Sequence, residues 1–180
     1  MKKTSFYIKE IVCILILIVF DRASKIWATN TLPESNGIEL IPGALKLYYL
    51  PNGNTGAACG IFKGQMWLFV LVTVFVCVIL LYALLHLPIE KHYSILHITI
   101  ICITAGGLGN LIDRLMNGYV VDFIYFYLIN FPIFKVADIY VTVSTVVLAV
   151  LLLFVYKEED FKRLEEQLIP APLRKKSDKS

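Results

Sequence analysis

An all-α integral membrane protein, built as a bundle of four transmembrane helices, is the fold class this sequence predicts. Three observations carry that expectation. Of the 180 residues, 58% are hydrophobic and only 17% are charged, far from the balance of an ordinary soluble domain. Four stretches are each apolar over about 20 residues, the length a helix needs to cross the hydrocarbon core. The most polar residues collect at matching ends of those stretches.

The first span runs over about 7–28, around the unbroken apolar run from Ile11 to Phe20. Lys2 and Lys3 ahead of an apolar core imitate a secretory signal. Asp21-Arg22 follows that core directly, however, and no small-x-small cleavage site stands at a sensible distance, so a retained anchor is expected. The second span, about 67–85, contains no charged residue; the third and fourth cover about 95–115 and 136–156. These elements make one domain over 1–156, followed by a charged tail over 157–180 that reads as a short helix which then frays.

Lys and Arg in the loops set the orientation. Lys2, Lys3 and Lys9 precede the first helix, Lys91 lies between the second and third, and Lys157, Lys162, Arg163 and Arg174 to Lys176 follow the fourth. Both termini are therefore expected in the cytoplasm, with the loops 29–66 and 116–135 outside. Within the first loop, Pro42-Gly43 and the following Ala44 to Tyr49 read as a turn and a short strand. The second loop, from Phe123 to Phe134, is crowded with aromatic rings, which favour the headgroup level of a bilayer. The formal charge of +3 is too small to argue for nucleic acid. Three of the four cysteines fall in apolar segments as packing residues; only Cys59 lies in a polar loop.

Ionisable side chains in a spanning helix are costly, so each one calls for a reason. Asp21, Arg22 and Lys25 stand near the end of helix 1, Asn110, Asp113 and Arg114 near the end of helix 3, and Asp138 near the start of helix 4. Asp122 follows helix 3 after a short stretch containing Gly118. In an up-down-up-down bundle all of them, with the segment Asn54 to Gly60, reach the outer leaflet. That convergence marks a site. Asp21 and Lys25, four residues apart, can pair on one helix face or contact a substrate. Asp113 reads best as an ion-pair partner of a neighbouring helix. Gly106, Gly107 and Gly109 suit close helix approach. His86, His92 and His97 fall toward the opposite side and read as solvated or interfacial.

Asp122 and Asp138 are sixteen residues apart, one where the outer loop leaves helix 3 and the other where it enters helix 4. Two carboxylates brought together in a partly dry setting cannot easily both ionise, so a proton is shared. The pair then holds an acid and a base at the same pH, as amide hydrolysis by activated water requires.

At these residues the chain resembles the signal peptidase II family of bacterial lipoprotein signal peptidases. Five motifs carry the resemblance in order. They are Asp21-x-x-Ser24-Lys25, Asn54-Thr55-Gly56-Ala57-Ala58-Cys59-Gly60 and Gly106-Gly107-x-Gly109-Asn110-x-x-Asp113-Arg114, then Val120-Val121-Asp122-Phe123 and Phe134-Lys135-Val136-Ala137-Asp138. The resemblance implies an aspartic endopeptidase of the inner membrane, working without metal or cofactor, with Asp122 and Asp138 as its dyad. Its substrates would be diacylglyceryl-modified prolipoproteins, cut just before the lipidated cysteine at the outer leaflet, with membrane lipids as the other partner. Asn54, Asn110 and Arg114 would hold the substrate backbone, and Asp21 and Lys25 would support or contact it. A small extracytoplasmic β-sheet cradle is implied around residues 40–50. Three positions depart from the family pattern: Cys59 replaces an aromatic, Tyr125 replaces an acidic residue, and Lys135 replaces an Asn.

Lys135 has two readings. Near the dyad, its ammonium would favour ionised carboxylates, and replacement by Asn would move both limbs of a pH–rate profile upward together. Alternatively it snorkels to the headgroups, as long basic side chains near helix ends do. Two other classes compete with the peptidase. An ion-coupled transporter would use the aspartates as a relay, but such sites usually lie at the midplane on broken helices. A lipid- or lipoprotein-binding protein would tolerate isosteric amides in place of the aspartates, which a peptidase would not.

Overall fold

The computed structural model of the chain describes residues 2–32, 36–49 and 66–170. It is an all-α membrane bundle with a small open sheet. The helices are α1 (Lys2–Thr31), α2 (Met66–His86), α3 (Ser94–Asn117), α4 (Val136–Val150) and α5 (Glu158–Leu168). Three stretches, Met66–His86, Lys91–Asn117 and Val136–Val155, are long and apolar enough to cross a membrane. Polarity is inverted relative to a soluble protein. Phe75 and Leu153 are 63% and 73% exposed, whereas Asp21 and Asp113 are fully buried. Lipid-facing surfaces are apolar because hydrocarbon offers no hydrogen bonds, and ionisable groups turn inward to partners.

Helix α3 is the hub, packed against α1, α2 and α4. The three glycines of its motif explain how. A Cβ at Gly106 would lie 2.7 Å from the Ala137 carbonyl oxygen of α4, and one at Gly109 would lie 2.8 Å from Asp21 Oδ2 of α1. At Gly107 it would meet Cys77 Sγ of α2 at 3.1 Å. Each glycine thus opens a different face of α3 to a different neighbour, the close approach that small residues permit in membranes.

At the far end of the bundle, Tyr93, Leu84, Leu87 and Tyr156 form an apolar cluster into which α5 inserts Leu164. Tyr82 hydroxyl donates to the Leu168 carbonyl at 3.1 Å, and Arg163 pairs with Glu90. The histidine expectation needs a correction here. His92 is half-exposed beside Asp160, but His97 is 3% exposed, with Nδ1 2.6 Å from Glu10 Oε1 and Nε2 3.2 Å from the Pro88 carbonyl. A helical residue eighty-seven positions away supplies its partner, which a local pattern cannot reveal.

The sheet has the order β1 (Ile38–Ile41), β2 (Leu45–Leu47), β3 (Ile124–Phe126), all antiparallel. Gly43, at φ +77°, makes the turn between β1 and β2, and the Ala44 amide donates to the Ile41 carbonyl at 3.0 Å. Leu45, Lys46 and Leu47 face Phe126, Tyr125 and Ile124. Residues 124–126, aromatic-rich and anticipated at headgroup level, are therefore the third strand that joins the two outer loops.

Candidate active site

Two local devices bring the carboxylates together. Gly118 ends α3 in the left-handed conformation (φ 77°), its amide donating to the Arg114 carbonyl at 3.1 Å. The chain then turns inward through Val120, Val121, Asp122 and Phe123, all buried. Next, the Phe134 carbonyl accepts from the amides of Phe123 (3.0 Å) and Ile124 (2.8 Å), while Phe134 N donates to the Ile124 carbonyl at 2.9 Å. This clasp leaves Asp122 just before β3 and Lys135 just after the bridging residue Phe134. Lys135 caps α4, and Asp138 follows in the first helical turn.

The Lys135 ammonium is therefore shared. Its Nζ donates to Asp122 Oδ1 at 2.6 Å and to Asp138 Oδ2 at 3.0 Å. The two side chains differ in access: Asp122 is 2% exposed and Asp138 36%. Lys135 is buried at 5% exposure, which answers the question left open by the sequence: it points into the site and not to the headgroups. Burial disfavours its charge, but the attraction of Asp122 and Asp138 outweighs that and holds its ammonium above the usual lysine range.

Asp122, Lys135 and Asp138 line a cavity of about 610 Å³ together with Asn110 and Arg114 of α3. Phe69, Phe131, Ile139 and Val143 make its wall apolar. Arg114 lies over the Phe69 ring, 5.3 Å from its centroid. Asn110 Oδ1 is buried with no hydrogen-bond partner among the described residues, an acceptor left open beside the cavity. Thr142 and Phe69 were not anticipated; an apolar ring or a hydroxyl in a lipid-spanning run carries no signal of its own.

Asp21 and Lys25 stand elsewhere. They pair with each other, and neither is among the residues lining this cavity. Asp21 Oδ1 accepts from the Ala137 amide at 2.9 Å, so the carboxylate of α1 caps the first turn of α4 immediately before Asp138. Asp113 pairs with Arg22, as expected of a residue bound to a neighbouring helix. Lys25 Nζ also lies 2.6 Å from Asp113 Oδ2, in ion contact without the alignment of a hydrogen bond. The result is a buried, charge-balanced cluster of two carboxylates and two cations linking α1, α3 and α4. Asn54 and Cys59 lie outside the described residues.

Fold and site together define a class: a multi-pass membrane protein with paired carboxylates at the wall of an apolar cavity. Comparison with known proteins makes the assignment specific. The family model described as Signal peptidase (SPase) II matches residues 13–154. The lipoprotein signal peptidase of Streptococcus agalactiae serotype Ia is 43% identical over 146 residues, covering 81% of this chain and 90% of that one. That of Streptococcus pyogenes serotype M5 is 37% identical over 162 residues, covering 89% and 99%. A bacterial membrane enzyme solved by the in meso method at 2.3 Å superposes with a TM-score of 0.71 at 30% identity, covering 83% of this chain and 92% of that one. The chain belongs to the signal peptidase II family.

Proposed function

We propose that Asp122 and Asp138 are the catalytic pair of this aspartic endopeptidase, which removes the signal peptide from diacylglyceryl-modified prolipoproteins just before the lipidated cysteine. The observation that carries the assignment is the convergence of both carboxylates on one ammonium at the wall of the 610 Å³ cavity. Asp138, the more exposed of the two, faces the space where a water and the scissile carbonyl would sit. It takes a proton from the attacking water. Asn110 Oδ1, lacking a partner among the described residues, accepts from a substrate backbone amide, and Arg114 holds a substrate carbonyl. Asn54 contributes from the segment ahead of α2. Acyl chains lie against Phe69, Ile139 and Val143, so the bilayer does part of the positioning. Asp21 and Lys25 act on the substrate indirectly, by setting the start of α4.

We also read α1 as a fourth span. Three of its ionisable residues, Glu10, Asp21 and Lys25, are buried against the bundle, while Leu15, Ile16, Val19 and Phe20 form an exposed apolar surface. With α1 as a fourth span, the loop charges noted above support a reading with both termini in the cytoplasm and the site at the outer leaflet.

Purified protein in detergent should cleave a diacylglyceryl-modified precursor and leave its unmodified counterpart largely intact. Equal cleavage of both would remove the lipid-directed reading. Because a carboxylate pair supplies both acid and base, turnover should also persist in a strong chelator. Activity lost on chelation and restored by a divalent metal would put the reaction in a different class.

A further inference from the structure

An ordinary aspartic pair needs one proton more than two free carboxylates hold. It stores that proton on one carboxyl, which presents it to the scissile carbonyl oxygen. Here the same net charge of −1 can be reached in another way, with two carboxylates and one ammonium. We propose that Lys135 replaces the protonated carboxyl: both aspartates are ionised in the resting enzyme, and the Lys135 ammonium is the electrophile for the carbonyl oxygen.

The inference rests on the assignment of Asp122 and Asp138 as the catalytic pair, and three observations support it. The ammonium meets both carboxylates, at 2.6 and 3.0 Å, in the place where a shared proton would otherwise lie. The side chain is buried, and the net pull of the aspartates keeps it charged. It also lines the cavity, so an entering carbonyl oxygen can reach it. An ammonium has three donors and no acceptor, so with two donors on the aspartates a third remains for substrate. Among the described residues, the charged groups facing this ammonium are Asp122 from the segment after α3 and Asp138 from α4, while Arg114 of α3 lines the same cavity and feels the same two carboxylates. The α1 cluster behind α4 is closed on itself through Asp21, Lys25, Asp113 and Arg22.

The step balances without other reactants. Water oxygen bonds to the scissile carbonyl carbon as the Asp138 carboxylate removes one water proton. The carbonyl π pair moves onto oxygen, and the Lys135 ammonium stabilises that oxyanion, held in place by Asp122. On collapse the oxyanion re-forms the carbonyl, and the C–N bond breaks with its pair going to nitrogen. Asp138 returns its proton to that nitrogen. The products are a carboxylic acid and an amine, and the ammonium is unchanged.

The alkaline limb of the pH–rate profile is the readout, because each scheme puts the essential proton on a different group. Profiles would be measured on one lipopeptide substrate in one detergent for wild type, Lys135→Asn, Lys135→Met and Lys135→Arg. Asp122→Asn and Asp138→Asn serve as references. The proposal expects wild-type activity to hold above neutral pH to at least the ordinary lysine value of about 10.4. In Lys135→Asn the proton must return to a carboxyl, so the alkaline limb should fall by several pH units while the acid limb rises. Lys135→Met should lose on the order of 10²-fold or more in kcat, as removal of an electrostatic donor does. Lys135→Arg should keep a flat alkaline side whatever its rate, since a guanidinium does not titrate there.

Limbs that both move upward in Lys135→Asn would mean that the ammonium acts only at a distance, which overturns the proposal. Coincident profiles across the series would overturn it as well. Failure of the dyad itself would appear separately, as near-normal turnover in an aspartate variant at a single pH.

Discussion

Asp122→Asn and Asp138→Asn should each abolish cleavage while leaving the protein folded and inserted. Carboxylate and amide are nearly isosteric, so packing around the buried Asp122 and the half-exposed Asp138 changes little. The chemistry changes much more. An amide at 138 cannot take a proton from water, and an amide at 122 no longer anchors the Lys135 ammonium with a charge. Groups that act as one catalytic unit fail together, and loss of a single member typically costs on the order of 10⁴ or more in kcat. Turnover of a diacylglyceryl lipopeptide, measured beside thermal unfolding in the same detergent, separates the two effects. Unchanged turnover in either variant would refute the assignment. Such a result would put the groups that activate water elsewhere in the protein.

The largest stability effect is expected at Asp113. Its carboxylate is fully buried and meets two cations, Arg22 and Lys25. Asp113→Asn leaves those cations with Asp21 alone, so one buried positive charge loses its balance. Removing one partner of a buried ion pair costs roughly 3–5 kcal/mol. Arg22 is 24% exposed and partly hydrated, which puts the expected loss toward the lower end. The companion variant Arg22→Met in the Asp113→Asn background should recover much of it, because Asp21 and Lys25 then remain as a neutral pair. A double variant as unstable as the sum of its parts would show that packing at Asp113, and not charge balance, is what matters. The same cluster holds the Ala137 amide, so Asp113→Asn should also lower kcat by loosening the start of α4.

Much of this architecture was legible in the chain because the bilayer imposes a strong rule. A segment that must satisfy its own backbone in hydrocarbon has to be a helix of nearly fixed length. That is why residues 67–85, 95–115 and 136–156 were recognisable, and why the structure's limits at Met66–His86, Ser94–Asn117 and Val136–Val155 differ from them by only a residue or two. The same rule made Asp21, Asn110, Asp113, Asp122 and Asp138 conspicuous, since polar groups so close to lipid need a reason. The glycines at 106, 107 and 109 announced close packing, although not which neighbour each would meet.

What only the tertiary structure decided were partnerships between residues far apart in sequence. A strand as short as Ile124–Phe126 has too few residues to show its alternation, and its aromatics fit a membrane interface equally well; pairing with Leu45–Leu47 made it a strand. His97 looked solvated until Glu10 was placed beside it. Asp21 does form the helix-face pair with Lys25 that its spacing allows, but only the fold shows that its other oxygen accepts from the Ala137 amide, 116 residues away. Lys135 is the sharpest case. A long flexible side chain at a helix start can reach toward the headgroups or into the bundle, and no local pattern selects between them. The clasp between Ile124 and Phe134 does so, because it fixes the direction in which the Lys135 backbone enters α4 and brings Asp122 within 2.6 Å of its ammonium.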